Sequence, residues 1–469
     1  MTANCFSSKL ASYFNGKQDY FIIFTFSIVS LLLLIANPGY FSHDELQKLD
    51  HIKEFGLKNY IDTYVALKQG SNFGVPVRPF SFLMQGVLAY FMENYAVVVH
   101  LIAVITHAIV GGLLYASCMR FGATRRLALT IALIFIINPL GTLATGWSAA
   151  LMDRWYVAFG MAAFICAERY IRSSARAWLL VLLFIWSALS IVSKETAVIL
   201  PALLGVILLV DFRLIKTKRF WIAAFVWCLP ILLFMLYRLP ALIASFGNPD
   251  VSAYKASFTN VPEGLLVYAA YPFLLLTAEA GNWVFVNTSG MALAVALHVV
   301  VCLALGWKLG IKAVLAYLCG YFLFVAPVLL IPIRASHYLY GSSIVLSIAI
   351  GVLVVQNSKG FYISRIVGVV ALVLLAVHMV NNQNFVYSLG RCMNVAMIST
   401  ESAYASSDKL KKISFQAEPG ATEHVLYRMV TGRNRIGDNY PLQLSVSKWG
   451  DALPDDTLIF KMNSRCVVY

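Results

Sequence analysis

The sequence predicts an all-α polytopic membrane protein of about eleven transmembrane helices, followed by a small exterior α+β module. Three observations carry that expectation. Hydrophobic residues make up 60% of the 469-residue chain and charged residues only 12%, where soluble domains carry roughly a quarter charged. Apolar runs near the bilayer-crossing length of about 17–25 residues recur along most of the chain. Lys and Arg gather in alternate connecting segments, as they do in cytoplasmic loops.

In order, the expected spans are Tyr20–Asn37, Ala96–Met119, Leu127–Gly146, Tyr156–Ala167, Ala177–Val192, Thr196–Val210, Phe220–Tyr237, Met291–Leu305, Ala313–Ile333, Tyr338–Gln356 and Phe361–Val380. Several need flanking residues to cross. Basic residues follow each even-numbered run: Arg120, Arg125 and Arg126; Arg169, Arg172 and Arg176; Arg213, Lys216, Lys218 and Arg219; Lys308 and Lys312; Lys359 and Arg365. That alternation places the N-terminus in the cytoplasm and the C-terminal segment outside. Leu265–Ala278 is also apolar, but a span there would put Lys308, Lys312 and Lys359 outside and Arg334 inside. It therefore reads as a re-entrant or interfacial segment. The first run exceeds the apolar core of a signal peptide, and Asn37-Pro38-Gly39 offers no small-x-small cleavage site, so it is expected to remain as a span.

Two units follow: a transmembrane domain over 1–380, containing a long exterior loop at 38–95, and an exterior module over 381–469. In the loop, Leu46, Leu49, Ile52 and Phe55 recur at helical spacing, which predicts a surface-lying helix over Asp44–Phe55. A second helix is expected over Phe80–Met92, and Gly70–Pro76 reads as a turn-rich connector. In the tail, Ala403–Ile413 reads as helix, and His424–Val430 and Asp456–Met462 as strands.

The formal charge of +14 is accounted for by the basic loops, and nothing else points to nucleic acid. Eight cysteines show no C-x-x-C and no metal-ligand spacing. Cys392 and Cys466 both fall in the exterior tail, where an oxidising compartment permits a disulfide.

The costly charged residues fall beside spans on one expected side: His43-Asp44-Glu45, Asp153-Arg154, Ser193-Lys194-Glu195, and Arg334 with His337. Such a gathering describes an outward-facing site built from loops. The residues that form it carry a family resemblance. Arg78-Pro79-Phe80, then His100 and His107, resembles the "RP…H-x-x-x-x-x-x-H" run of GT-C membrane glycosyltransferases. Trp147-Ser148 before Asp153-Arg154 is similar to their "W-x-S-x-x-x-D" segment, and Ser193-Lys194-Glu195 with Pro201 to their "S-K-E…P" motif. Asp44-Glu45 stands where that family keeps an acidic pair. The resemblance covers roughly 20–201, is nearest to the branch using polyprenyl-phosphate sugars, and does not extend to the tail; the W-W-D motif of oligosaccharyltransferases is missing.

What the resemblance implies is a hexose moved from an undecaprenyl-phosphate donor to a hydroxyl on the periplasmic face of a bacterial inner membrane. O-antigen or lipopolysaccharide glycan is the expected acceptor, with lipid or protein the other hydroxyl sources. The chemistry agrees with the residue types. The leaving group is a lipid phosphate, so the site must stabilise an anion and take a proton from the incoming hydroxyl. Asp44 is the expected base, with Glu45 positioning the acceptor, since a carboxylate beside low-dielectric lipid gains proton affinity. Lys194 and Arg334 are the expected phosphate cations, with Arg154, Arg78, Asp153, Glu195 and His337 completing the substrate contacts. A single displacement gives inversion at the anomeric carbon. Many relatives use a divalent metal, but no ligand cluster here demands one.

Blander roles compete. Asp44-Glu45 suits a helix start, Ser193 to Glu195 an N-cap, and Asp153-Arg154 a local ion pair. Arg334 suits a helix-end anchor. His100 and His107, seven apart on one helix face, fit interhelical hydrogen bonding better than catalysis. A polyprenyl-lipid or sugar flippase is the alternative function. It calls for ionisable residues at mid-membrane, and none of the expected spans holds an Asp, Glu, Lys or Arg at its middle.

Overall fold

The computed structural model describes residues 2–40, 43–65, 78–92, 95–173, 175–247, 257–274, 278–280, 283–285, 288–355, 362–405, 412–417, 443–447, 450–452, 454 and 457–463. Helix α1 (Thr2–Ser30) passes after a break at Leu31 into α2 (Leu32–Ile35). The long loop at 38–95 holds α3 (His43–Tyr60), kinked at Gly56 with φ +82°, and α4 (Pro79–Met92). Both were legible in the sequence, whereas the Gly70–Pro76 connector lies outside the described residues. Then follow α5 (Ala96–Arg120), α6 (Arg125–Ile136), α7 (Pro139–Gly146), α8 (Leu151–Arg172), α9 (Ala177–Ser193) and α10 (Leu204–Val210). The second half holds α11 (Lys218–Gly247), α12 (Val261–Ala270), a small antiparallel pair β1 (Ala278–Ala280) and β2 (Trp283–Phe285), α13 (Thr288–Leu309), α14 (Ile311–Leu323), α15 (Tyr340–Val355) and α16 (Tyr362–Ala405).

Six described helices are long and apolar enough to cross a bilayer, and the bent pair α6 and α7 makes a seventh if counted as one span, against about eleven expected. The differences have local causes. The expected third span bends by 53° between α6 and α7. There Pro139 lacks an amide proton for the helix ladder, and the Asn138 side chain accepts from the Leu140 N–H to cap a new start. The expected sixth span opens as a 3-10 helix over Glu195–Leu203 containing Pro201, and only its end, α10, is α-helical. The expected ninth keeps 13 helical residues in α14 before giving way to short turns. Leu265–Ala278 does not form a continuous helix: α12 has 10 residues, too short to cross.

Large apolar side chains left mostly exposed, such as Leu209, Trp221, Phe225, Leu236, Leu293 and Leu303, lie on α10, α11 and α13. A belt this extensive fits acyl chains rather than water. Inside, α8 packs on α5 and α9, and α15 on α6 and α16.

Helix α16 runs 44 residues without a break through position 380, where the polar tail was expected to begin. Beyond it, β3 (Lys412–Ala417), β4 (Gln443–Ser447) and β5 (Thr457–Met462) form a parallel sheet in the order β4-β3-β5. Lys412 and Ile413 are thus strand rather than helix: β3 is the central strand of the sheet, and Ile413 to Gln416 are buried on both of its faces. His424–Val430 and Cys466 lie outside the described residues, and Cys392 is disulfide-bonded. The buried Ile413, Phe415 and Met462 belong to the same apolar cluster as Leu389, Met393 and Ala396 of α16.

Candidate active site

A cavity of about 250 Å³ opens between α3, α4, the start of α8 and the end of α9. Its wall includes Lys48, Arg78, Gln85, Trp147, Asp153, Lys194, His337 and Tyr338. Four of the residues expected from sequence therefore share one space: Arg78, Asp153, Lys194 and His337.

Each is placed by a local device. Lys194 is an extended residue between α9 and the 3-10 helix, with φ −158° and ψ 133°, so its side chain leaves the helix axis and turns inward. Its ammonium pairs with Asp153 Oδ1 from the first turn of α8, and both side chains are almost fully buried. The Lys194 Nζ also lies 4.8 Å from the Tyr338 ring centroid, a cation–π contact. Burial pushes the Lys194 ammonium below the usual lysine value, with the Asp153 carboxylate opposing that shift. Asp153 Oδ2 is buried with no hydrogen-bond partner among the described residues.

Arg78 meets Glu195 in a two-pronged pair through Nε, at 2.7 Å, and Nη2. Because Pro79 opens α4, this pair ties the start of the loop helix to the α9 end. Ser81 Oγ adds a bond to the Ser193 carbonyl at 2.8 Å, and Gln85 Nε2 one to Ala149 at 3.0 Å. The His337 ring stands edge-on to Trp147, with centroids 5.1 Å apart.

Glu45 is buried and accepts from the Ser148 N–H at 2.6 Å and from the Ser148 hydroxyl. It anchors α3 to the turn after Trp147 and is not in the cavity wall. Asp44 belongs to α3, but its side chain lies outside the described residues.

Two arginines expected at the substrate, Arg154 and Arg334, point elsewhere. Arg154 turns into the bundle, where Nε donates to Thr106 Oγ1 at 3.0 Å and Nη1 to the Ala144 carbonyl near the end of α7. Helix ends leave such carbonyls without intrahelical partners, so an arginine is well used there. Arg334 donates to the carbonyls of Ile331 and of Asn260, the latter at 2.7 Å, with Glu263 at 3.9 Å. It adjoins Ile333, a wall residue, but does not itself line the cavity. The clamp of one anion by Lys194 and Arg334 is therefore not the arrangement seen.

His100 and His107 both bond between elements. His100 Nε2 donates to the Gly39 carbonyl at 2.8 Å. His107 Nε2 faces the Ile136 carbonyl at 3.3 Å, so it carries the proton and leaves Nδ1 to accept from the Tyr340 hydroxyl at 2.8 Å.

Lys48 was missed from sequence. Its ammonium sits 3.9 Å from the Tyr64 ring centroid and 5.1 Å from that of Phe82, bridging the loop elements at the cavity edge. Its position one helical turn after Asp44 was the available signal.

Among the described residues no three His, Cys, Asp or Glu side chains gather as a metal site. Asp153 is the single carboxylate among the cavity's lining residues, and it is engaged by Lys194, with Lys48 and Arg78 also in the wall. Among the described residues, that donor set fits an anion.

The fold is of the GT-C type, that of a class of polytopic membrane proteins. No family model matches the chain, and no curated protein matches it. Among solved structures, the arabinofuranosyltransferase AftD from Mycobacteria is similar at 16% identity and a TM-score of 0.50, over 84% of this chain and 29% of AftD. ArnT from Cupriavidus metallidurans, in the apo state, is similar at 12% identity and a TM-score of 0.48, over 90% of this chain and 84% of ArnT. The Archaeoglobus fulgidus oligosaccharyltransferase has 11% identity and a TM-score of 0.44, over 85% of this chain and 62% of its own. The chain thus spans under a third of AftD's length.

Proposed function

We propose that this protein is a membrane glycosyltransferase taking a hexose from a polyprenyl-phosphate donor, undecaprenyl phosphate in a bacterial inner membrane. The observation that carries the reading is the cavity wall, where Lys48, Arg78 and Lys194 face a space large enough for a sugar phosphate beside the long loop. The GT-C fold, shared with an arabinofuranosyltransferase, supports it.

Lys194 receives the donor phosphate as a compact charge, with Arg78 and Lys48 adding positive field as the lipid phosphate departs. Asp153 holds Lys194 in place, and Glu195 holds Arg78. Arg334 fixes the segment carrying Ile333 and His337, and Arg154 fixes α7 against α8. Asp44 is the base that takes the acceptor proton, and Glu45 docks its helix to the bundle. The acceptor is a hydroxyl of a glycan of the O-antigen or lipopolysaccharide kind: its oxygen attacks the anomeric carbon of the donor in one displacement with inversion, its proton passes to Asp44, and the polyprenyl phosphate leaves.

The test is incubation of the purified protein with a radiolabelled polyprenyl-phosphate hexose and a lipopolysaccharide acceptor. Label appearing in the acceptor, with release of polyprenyl phosphate, is the expected result. Label that crosses a liposome membrane while remaining on the lipid would replace the transferase by a flippase.

A further inference from the structure

A second cavity, of about 510 Å³, lies at the other end of α5 and α8. Asp153 lines the first cavity and Arg169 the second, sixteen residues apart on α8, or about 24 Å along a helix. Arg120, Arg125 and Arg169 come to this second space from α5, α6 and α8, alongside Asp19, Tyr115, Tyr20, Met119 and Ile165.

The charges are only partly spent. Asp19 is fully buried and is held by Arg125, at 2.7 Å, and by the Tyr115 hydroxyl, at 2.5 Å. Glu168 is shared by Arg120 and, at 3.7 Å, Arg172. Four arginines thus stand against two carboxylates. Arg169 has no carboxylate partner among the described residues; its guanidinium lies 5.9 Å from the Trp178 ring centroid. In the same wall as these cations, Tyr20 and Met119 are exposed. A positive cup opening onto uncovered apolar side chains at a helix-bundle end has the chemistry of a headgroup with its acyl chains.

We propose that this second cavity holds the headgroup of an acidic phospholipid. The phosphodiester sits against Arg120, Arg125 and Arg169, and the acyl chains run along Tyr20, Met119 and Ile165. Basic pockets between membrane helices take anionic headgroups by this combination of fixed charge and apolar wall. The proposal stands apart from the glycosyltransferase reading.

The test is native mass spectrometry of the full chain in detergent, titrated with phosphatidylglycerol, with phosphatidylcholine and with inorganic phosphate. One saturable phosphatidylglycerol per chain is expected, with phosphatidylcholine and phosphate failing to displace it. Arg169→Gln, on an exposed side chain without a carboxylate partner, should weaken binding about fivefold, the effect of one basic residue at an anionic headgroup. Arg120→Gln should act similarly, while Arg219→Gln, outside the cavity, should leave affinity unchanged. Wild-type affinity in both cavity variants would overturn the proposal. So would equal weakening by Arg219→Gln, which would show diffuse attraction, or displacement by phosphate, which would show a free-anion site.

Discussion

Lys194 is asked both to neutralise a buried carboxylate and to meet a phosphate, and a double substitution separates the two roles. Lys194→Met leaves Asp153 buried and uncompensated, which should cost about 3–5 kcal/mol of stability. Adding Asp153→Asn should recover most of that in thermal unfolding of the detergent-solubilised protein, yet donor affinity should stay low if Lys194 binds phosphate. Recovery of both would make Lys194 purely structural. At Asp44, replacement by Asn should lower turnover by roughly 10²–10⁴-fold while sparing donor binding, because the amide cannot take the proton. Near-normal turnover would move the base elsewhere. Part of this site was legible because Asp153, Lys194 and His337 border apolar runs and Arg78 stands in a recognisable Arg-Pro-Phe string. The sequence could not tell that Arg154 and Arg334 serve backbone carbonyls, since a helix-end arginine and a phosphate arginine look alike without the facing chain. Lys48 was hidden by its surroundings, being one charge among several on a polar interfacial helix.

At the level of elements, α4 is tied to the bundle by the Arg78–Glu195 pair, and its entry angle depends on that fork. Arg78→Lys keeps the charge and loses the two-pronged geometry. Glu195's side chain is 45% exposed, so the stability change should be small, about 1 kcal/mol or less. Transfer should slow by more than that loss of folded protein accounts for, as measured by activity per folded molecule. A close approach elsewhere gives a stronger effect. The Asn37 side chain bonds the Val386 carbonyl at 3.2 Å and presses on Gly390, where a methyl group would overlap it. Gly390→Ala should destabilise by about 1–3 kcal/mol, read from unfolding in detergent. Apolar runs revealed where helices exist, since burial in lipid needs no partner-specific pattern. They did not reveal the breaks at Asn138-Pro139 and around Pro201, because mean hydropathy is blind to a missing amide proton.

For the molecule as a whole, the basic loops and the two cavities make orientation testable. An alkaline phosphatase fusion after Ala405 should be active and one after Gly310 inactive, as the distribution of Lys and Arg requires. The opposite pattern would put the cavity of Lys194 on the cytoplasmic side and end the reading based on an exterior donor.

The length of α16 has a mechanical meaning. A helix of 44 residues is about 66 Å long, whereas about 30 Å of hydrocarbon is all that must be crossed. Asn37, just after α2, bonds α16 at Val386, nineteen residues before that helix ends. The remaining part of α16, roughly 28 Å, stands as a rigid post with the β3–β5 sheet braced on the same apolar cluster. Such a post fixes reach: anything steadied by the sheet meets the Lys194 cavity at a set height. A four-residue insertion after Ser402 would raise the post by about 6 Å while leaving the span below it untouched.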